Sequence, residues 1–176
     1  MKRILGFLIL FSFSFLSLNC GYSTNLLLAS GIRTIYVEDV KNSIDFTQEN
    51  TSNVYIPLLE VKVRNAIIDR FLFDGHLKVA PPEKADVILK GELISYDRSV
   101  LRRTDNDDVE EYRIRVTVNV GLWDGKTGEV IWQENSFSGE GDYFVIGPLA
   151  KSETVAINDA ILDLARRVVE RSIENW

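Results

Sequence analysis

The chain has very little of the chemistry that builds reactive sites. Among its 176 residues one is a cysteine, Cys20, and one is a histidine, His76. A lone cysteine has no partner for an internal disulfide, and these two residues do not supply the ligands of a zinc site or a nucleophile with its base. The pair Gly139 and Gly141 lacks the third glycine of a phosphate-binding loop. The sequence therefore predicts no enzyme, no metal site and no cofactor.

Long hydrophobic runs are also scarce, and the clearest one lies at the start of the chain. The basic residues Lys2 and Arg3 precede an apolar stretch over residues 4–18. This arrangement is typical of a secretory signal peptide, and the stretch is shorter than the roughly 20 residues of a membrane-spanning helix. We expect residues 1–19 to be a lipoprotein signal peptide that is removed.

Cys20 ends this leader, and the residues before it resemble a bacterial lipobox. Asn19 stands where that motif usually has glycine or alanine. We expect Cys20 to be the lipid attachment site, with residues 20–30 as a lipid-anchored tether. Two or three acyl chains would hold it firmly to a membrane. The alternatives are an ordinary secreted protein with a spare thiol and an uncleaved anchor helix.

The charge balance is acidic. The formal net charge of −6 becomes −8 once Lys2 and Arg3 leave with the leader. A basic face is the usual footprint of nucleic-acid binding, so we expect no nucleic-acid partner. The length of the remainder fits one domain, which we place at residues 31–176.

Hydrophobic spacing predicts the secondary structure of this domain. A four-residue period predicts a helix over residues 57–73 and a second over 148–176, and Gly75 is placed to end the first helix. Alternating residues predict long strands over 87–101, 112–123 and 129–137, after a shorter one over 33–40. The expected fold is α+β, with two amphipathic helices packed on one face of a mostly antiparallel four-stranded sheet.

Basic residues gather around the first long hairpin. If its strands pair, Arg98, Arg102 and Arg103 approach Arg113 and Arg115, and arginine suits phosphate or carboxylate groups. The alternative is that these arginines pair with the acidic run over residues 105–111. We interpret that run as a solvated hairpin tip, because it lacks the glycine of a calcium loop.

Several segments in order resemble the LptE family. They are Cys20-Gly21-Tyr22, Ile35-Tyr36-Val37, the helix from Pro57-Leu58 to Phe71, Gly75, the stretch from Glu111 to Val120, and Ala150-Lys151 before the last helix.

The resemblance implies an outer-membrane lipoprotein, on the periplasmic side, that plugs an LptD-type β-barrel, assists its assembly and binds lipopolysaccharide. The positions that match the family's basic contact for the phosphorylated lipid are Arg102 and Arg103, followed by Arg113 and Arg115. A protein held inside a polar barrel needs mixed polar surfaces, which this chain has. An alternative function is a periplasmic regulatory lipoprotein that activates a cell-wall synthase.

Overall fold

The structure is a computed structural model that describes residues 31–45 and 56–173. The expected signal peptide, Cys20 and the tether lie outside the described residues, as do residues 174–176 of the predicted last helix. The described elements are, in chain order, β1 (Thr34–Val37), β2 (Lys41–Asn42), α1 (Leu59–Asp74), β3 (Lys78–Val79), a 3-10 turn (Pro82–Lys84), β4 (Val87–Arg103), β5 (Val109–Asp124), β6 (Val130–Phe144) and α2 (Glu153–Ile173).

The strands form one mixed sheet with the order β3-β1-β4-β5-β6, and the two-residue β2 pairs with β4 beside β1. The long strands β4, β5 and β6 are antiparallel, as predicted. The short strands β1, β2 and β3 all make parallel pairs. The prediction of a mostly antiparallel four-stranded sheet was therefore imprecise: within the described residues the sheet has six strands, and one side of it is parallel.

The parallel side follows from the helical connection between β1 and β3. A parallel pair needs a crossover, and here α1 supplies it. The helix ends where predicted, because Gly75 takes the left-handed conformation with φ 78° and donates its N–H to the carbonyl of Phe71. It begins at Leu59 rather than at Pro57, because Leu58 itself has a left-handed φ of 58°.

Both helices cover one face of the sheet, as predicted. The face of β5 that meets them carries apolar residues at every second position. These buried residues are Ile114, Val116, Val118, Val120 and Leu122. The predicted inner row of α1, Leu59, Val63, Ile67 and Phe71, is buried. However, α1 also exposes Val61, Leu72 and Phe73 on its outer side, so it is less amphipathic than predicted.

The strand β6 continues to Phe144, seven residues past its predicted end, because Gly139 and Gly141 do not interrupt it. A Cβ atom at Gly139 would collide with the backbone of Ala160 and Leu164 in α2. A Cβ atom at Gly141 would collide with the backbone of Ala156. The two glycines therefore let α2 lie directly on the strand. Among the described residues, no helix is both long and apolar enough to cross a membrane.

Candidate functional site

The sheet face opposite the helices carries rows of polar side chains near the β4–β5 turn. Residues paired directly across antiparallel strands share a face, so the register places these rows on one surface. From the middle of the sheet toward the turn, the rows are Asp97–Arg115–Glu140, Ser99–Arg113–Asp142 and Arg102–Glu111–Phe144.

Arg113 is held by two carboxylates from β6. Its Nε and Nη2 donate to Oδ1 and Oδ2 of Asp142 at 2.8 and 2.9 Å, and its Nη1 lies 3.0 Å from Oε2 of Glu140. The hydrogen bond from Arg113 lowers the pKa of Asp142, and the same bond raises the pKa of Arg113. Such two-pronged pairing is the strong form of an arginine–carboxylate contact.

Arg115 also pairs with a carboxylate of β6. Its Nε and Nη2 both donate to Oε1 of Glu140, at 2.9 and 2.7 Å. We call Arg113, Arg115, Glu140 and Asp142 the arginine–carboxylate ladder. Because two positive and two negative side chains meet in it, the ladder has no formal net charge and is not an open basic patch.

Arg102 and Arg103 make fewer hydrogen bonds within the protein than Arg113 and Arg115. The guanidinium of Arg102 lies over the ring of Phe144, 5.6 Å from its centroid, and its Nε is 3.6 Å from Oε2 of Glu111. That separation is too long for a hydrogen bond. Arg103 donates to the backbone carbonyl of Asp107 at 2.9 Å in the turn. Their side chains remain 58% and 49% exposed, so both keep donors available for an incoming anion.

Glu111 is an unusual neighbour for these arginines. The residue is only 7% exposed, and its Oε2 is buried without a hydrogen-bond donor among the described residues. A buried carboxylate oxygen normally has a donor. Its negative charge lies beside Arg102, and it keeps that cation over the sheet face.

Arg98 does not join this surface, because it lies on the helical face. Its Nη1 donates to Oε2 of Glu153 at 2.9 Å, and Tyr96 donates its hydroxyl to Oε1 of the same carboxylate at 2.8 Å. Burial, followed by the hydrogen bond to Glu153, raises the pKa of the Tyr96 hydroxyl. The expected convergence of Arg98 with the other arginines was wrong, since Arg98 instead ties β4 to the start of α2.

The structure places three of the predicted site residues, Arg102, Arg113 and Arg115, on one sheet face, and Arg103 at the last position of β4. The alternative interpretation was that the arginines pair with the acidic run over residues 105–111. It is correct for Arg103, which lies near Asp107, and for Arg102, which lies near Glu111. For Arg113 and Arg115 the partners are instead Glu140 and Asp142, which the sequence analysis missed. Glu140 and Asp142 alternate along the sequence, which would place both on one face of a strand. This could be recognised only if the strand was expected to continue through Gly139 and Gly141.

The pairing of Asp142 predicts an acid-sensitive contribution to stability. A carboxyl group whose pKa is lowered by folding stabilises the protein above its ordinary pKa of 3.8 and loses that effect as the pH falls. Asp142 is about a third exposed, so solvent screening limits the expected loss in Asp142→Asn to about 1 kcal/mol or less. Urea unfolding should show this difference at pH 6 and its progressive loss as the pH falls below 3.8 and through the lowered pKa of folded Asp142. A difference independent of pH would contradict the assignment.

Within residues 31–45 and 56–173, no three His, Cys, Asp or Glu side chains are grouped so that they could hold a metal ion. The site offers guanidinium donors and carboxylates on a partly solvent-exposed sheet face. Such donors bind anionic oxygens such as those of phosphate.

Solved structures that are similar to this chain include several bacterial proteins. The hypothetical protein CT253 from Chlamydia trachomatis is 13% identical, with a TM-score of 0.53 over 80% of this chain and 95% of that one. The protein XCC0632 from Xanthomonas campestris is 13% identical, with a TM-score of 0.49 over 81% and 82% of the two chains. A minor lipoprotein from Acinetobacter baumannii is 12% identical, with a TM-score of 0.48 over 80% and 92%.

At these identities the likeness to CT253 shows the fold alone. No curated protein sequence matches the chain. A family model does match, under the description "LptE: Lipopolysaccharide-assembly", over residues 32–172. That range runs from before β1 into the last turn of α2 and includes every row of the candidate site. The chain therefore belongs to the LptE family of lipopolysaccharide-assembly proteins.

Proposed function

We propose that this protein is a lipid-anchored envelope lipoprotein that binds and plugs an LptD-type β-barrel on the periplasmic side of the outer membrane. In that position it assists the assembly of lipopolysaccharide. The observation that carries the proposal is the family match over residues 32–172, which spans the whole described domain except for its ends.

The sheet face opposite the helices supports this role. A barrel lumen is polar, so a protein inside it needs a hydrated surface rather than a large apolar one. The arginine–carboxylate ladder gives this face paired charges across β5 and β6, with no formal net charge. The long strands β4 and β5 extend this sheet face well beyond the short strands β1, β2 and β3. At about 3.4 Å per residue, β5 spans roughly 50 Å.

The partner is tested by recovering the full-length tagged protein from detergent-solubilised outer membrane. We expect a large β-barrel to be recovered with it in a stable complex. Recovery of a penicillin-binding protein without any barrel would contradict the proposal and favour the cell-wall regulator. Mass spectrometry of the mature N-terminus tests the anchor, for which we expect an acylated Cys20.

Lipopolysaccharide is proposed to meet the hairpin end through Arg102 and Arg103. Both keep donors available, whereas Arg113 and Arg115 are engaged by carboxylates and would contact the lipid only if the ladder opened. Phosphate groups of the lipid would accept hydrogen bonds from Arg102, and they would replace the carbonyl of Asp107 as an acceptor for Arg103.

The double substitution Arg102→Glu and Arg103→Glu should weaken binding of lipopolysaccharide at least tenfold, because two charge-assisted contacts, each worth about 1.5 kcal/mol or more, are replaced by repulsion. The measurement is titration of the detergent-solubilised protein with labelled lipopolysaccharide. Lys126→Glu is the matched control, since this lysine is exposed in the turn at the opposite end of β5. Equal affinities for all three proteins would remove Arg102 and Arg103 from the site.

A further inference from the structure

The two helices leave an apolar groove on the side that faces away from the sheet. Its floor is formed by Ala66 and Phe73 of α1 and by Leu162 and Ala165 of α2, and its volume is about 430 Å³. Charged residues of both signs form its rim. The groove is of the size that holds a small apolar group or a short peptide segment.

The groove is lined by side chains that are unusually exposed for their size. Phe73 is 81% exposed and Leu162 is 60% exposed, and Leu72 beside them is 63% exposed. Arg70 covers one side of the Phe73 ring, 5.4 Å from its centroid. The Nε of Arg70 is buried and has no hydrogen-bond acceptor among the described residues. An occupant that brings apolar side chains and a backbone carbonyl would satisfy both features.

The start of the described chain lies at the same end of the domain as this groove. The carbonyl of Arg33 accepts a hydrogen bond from the N–H of Lys78 at 2.9 Å, and Lys78 is the first residue of β3 after the end of α1. Because β1 and β3 are parallel, both start at the end of the domain where α1 finishes with Asp74, one residue after Phe73. Gly31, the first described residue, therefore lies at the end of the domain where α1 ends.

The sequence before Gly31 contains apolar side chains that match the apolar floor of the groove. Leu26, Leu27 and Leu28 are consecutive, and residues 21–30 contain no charged side chain. Leu28 precedes Ile32, which packs against the core, by four residues, and four extended residues reach about 14 Å. We expect this reach to bring the leucines to the Phe73 end of the groove.

We propose that Leu26, Leu27 and Leu28 occupy the groove between α1 and α2. Their side chains cover Phe73 and Leu162, and a backbone carbonyl among them accepts the hydrogen bond of Arg70 Nε. The inference does not depend on the identity of the barrel partner. If Cys20 carries the lipid, only five residues then separate the anchor from the domain, which brings the helical side close to the membrane surface.

A thermodynamic cycle tests the contact in the full-length protein. Leu26→Ser, Leu27→Ser and Leu28→Ser together should lower the Tm by about 4 °C, since three apolar side chains lose their burial. In the background Phe73→Ser and Leu162→Ser the same triple substitution should change the Tm by less than about 1 °C, because residues in contact are not additive.

The matched background is Val130→Ser and Ile131→Ser, a pair of exposed apolar residues on β6 outside the groove. There the triple substitution should keep its full effect. An undiminished drop of Tm in the groove background would overturn the proposal, and so would the absence of any drop in the native background.

A photoreactive amino acid at Leu162 identifies the occupant directly in cells. We expect an intramolecular crosslink to a peptide that contains residues 26–28. A crosslink to a β-barrel protein or to lipid, or no crosslink at all, would overturn the proposal. The barrel pull-down remains a separate measurement, so failure of this inference and failure of the proposed function are distinguishable.

Discussion

Replacing Gly141 with alanine should destabilise the fold by about 3 kcal/mol, near the upper end of the usual cost of overpacking a core. A Cβ atom at this position meets the backbone carbonyl of Ala156 in the first turn of α2, and helix backbone, unlike a side chain, has no alternative rotamer that would relieve the clash. Gly139→Ala should behave similarly, because its Cβ atom meets the backbone of Ala160 and Leu164. The double variant should separate α2 from β6 and leave little folded protein. Urea unfolding followed by circular dichroism measures the loss.

Gly91→Ala is the matched control for these two substitutions. Gly91 also lies in a strand with an ordinary φ, but its Cβ atom would meet only the side chain of Val40, at 3.3 Å. A methyl group at Gly91 should destabilise the fold less than one at Gly141, because the side chain of Val40 can shift by a few tenths of an ångström, whereas the backbone of α2 cannot. Equal losses for Gly91→Ala and Gly141→Ala would mean that the glycines matter for strand conformation and not for the approach of α2.

Patterns that act over short distances predicted much of the fold. The inner row of α1, its end at Gly75 and the alternation along β5 all depend on neighbours within a few residues, and the structure confirms them. A helix face or a strand face is determined by which side chains must leave water, so spacing alone is informative.

Features that depend on distant contacts were not predictable in the same way. The parallel pairs of β1, β2 and β3 involve strands of two to four residues, which leave almost no periodic signal. From the sequence, Gly139 and Gly141 were considered only as an incomplete phosphate-binding motif, although the close approach of α2, which follows them in the chain, requires both. A glycine that admits a close approach is recognised only when its neighbour is known.

The candidate site shows the same division. The arginines were found from composition and position, but their state depends on register across β5 and β6. Only that register sets Asp142 opposite Arg113 and Glu140 opposite Arg115. A cluster of arginines in a sequence therefore indicates where an anion can bind, whereas the opposing strand decides whether the positive charge is already neutralised.

Removing the negative charges of the ladder should therefore increase the affinity for lipopolysaccharide. The double substitution Glu140→Gln and Asp142→Asn should raise the affinity for lipopolysaccharide about tenfold at low salt, equivalent to about 1.4 kcal/mol. Its cause is that Arg113 and Arg115 lose their intramolecular carboxylates and become free to donate to phosphate oxygens. The amide side chains keep nearly the same shape, so the sheet face should be retained. Titration with labelled lipopolysaccharide measures the change.

The gain must depend on the arginines if the explanation holds. Adding Arg113→Gln and Arg115→Gln to the neutralised variant should return the affinity to that of the native protein or below it. Raising the salt concentration should also reduce the gain, because exposed charges are screened beyond about 10 Å at 0.1 M ionic strength. An unchanged affinity after neutralisation would assign Arg113 and Arg115 to holding β5 against β6, and would leave Arg102 and Arg103 as the proposed phosphate contacts. The ladder would then serve to keep this face of the sheet flat and electrically balanced beside the two arginines that remain available.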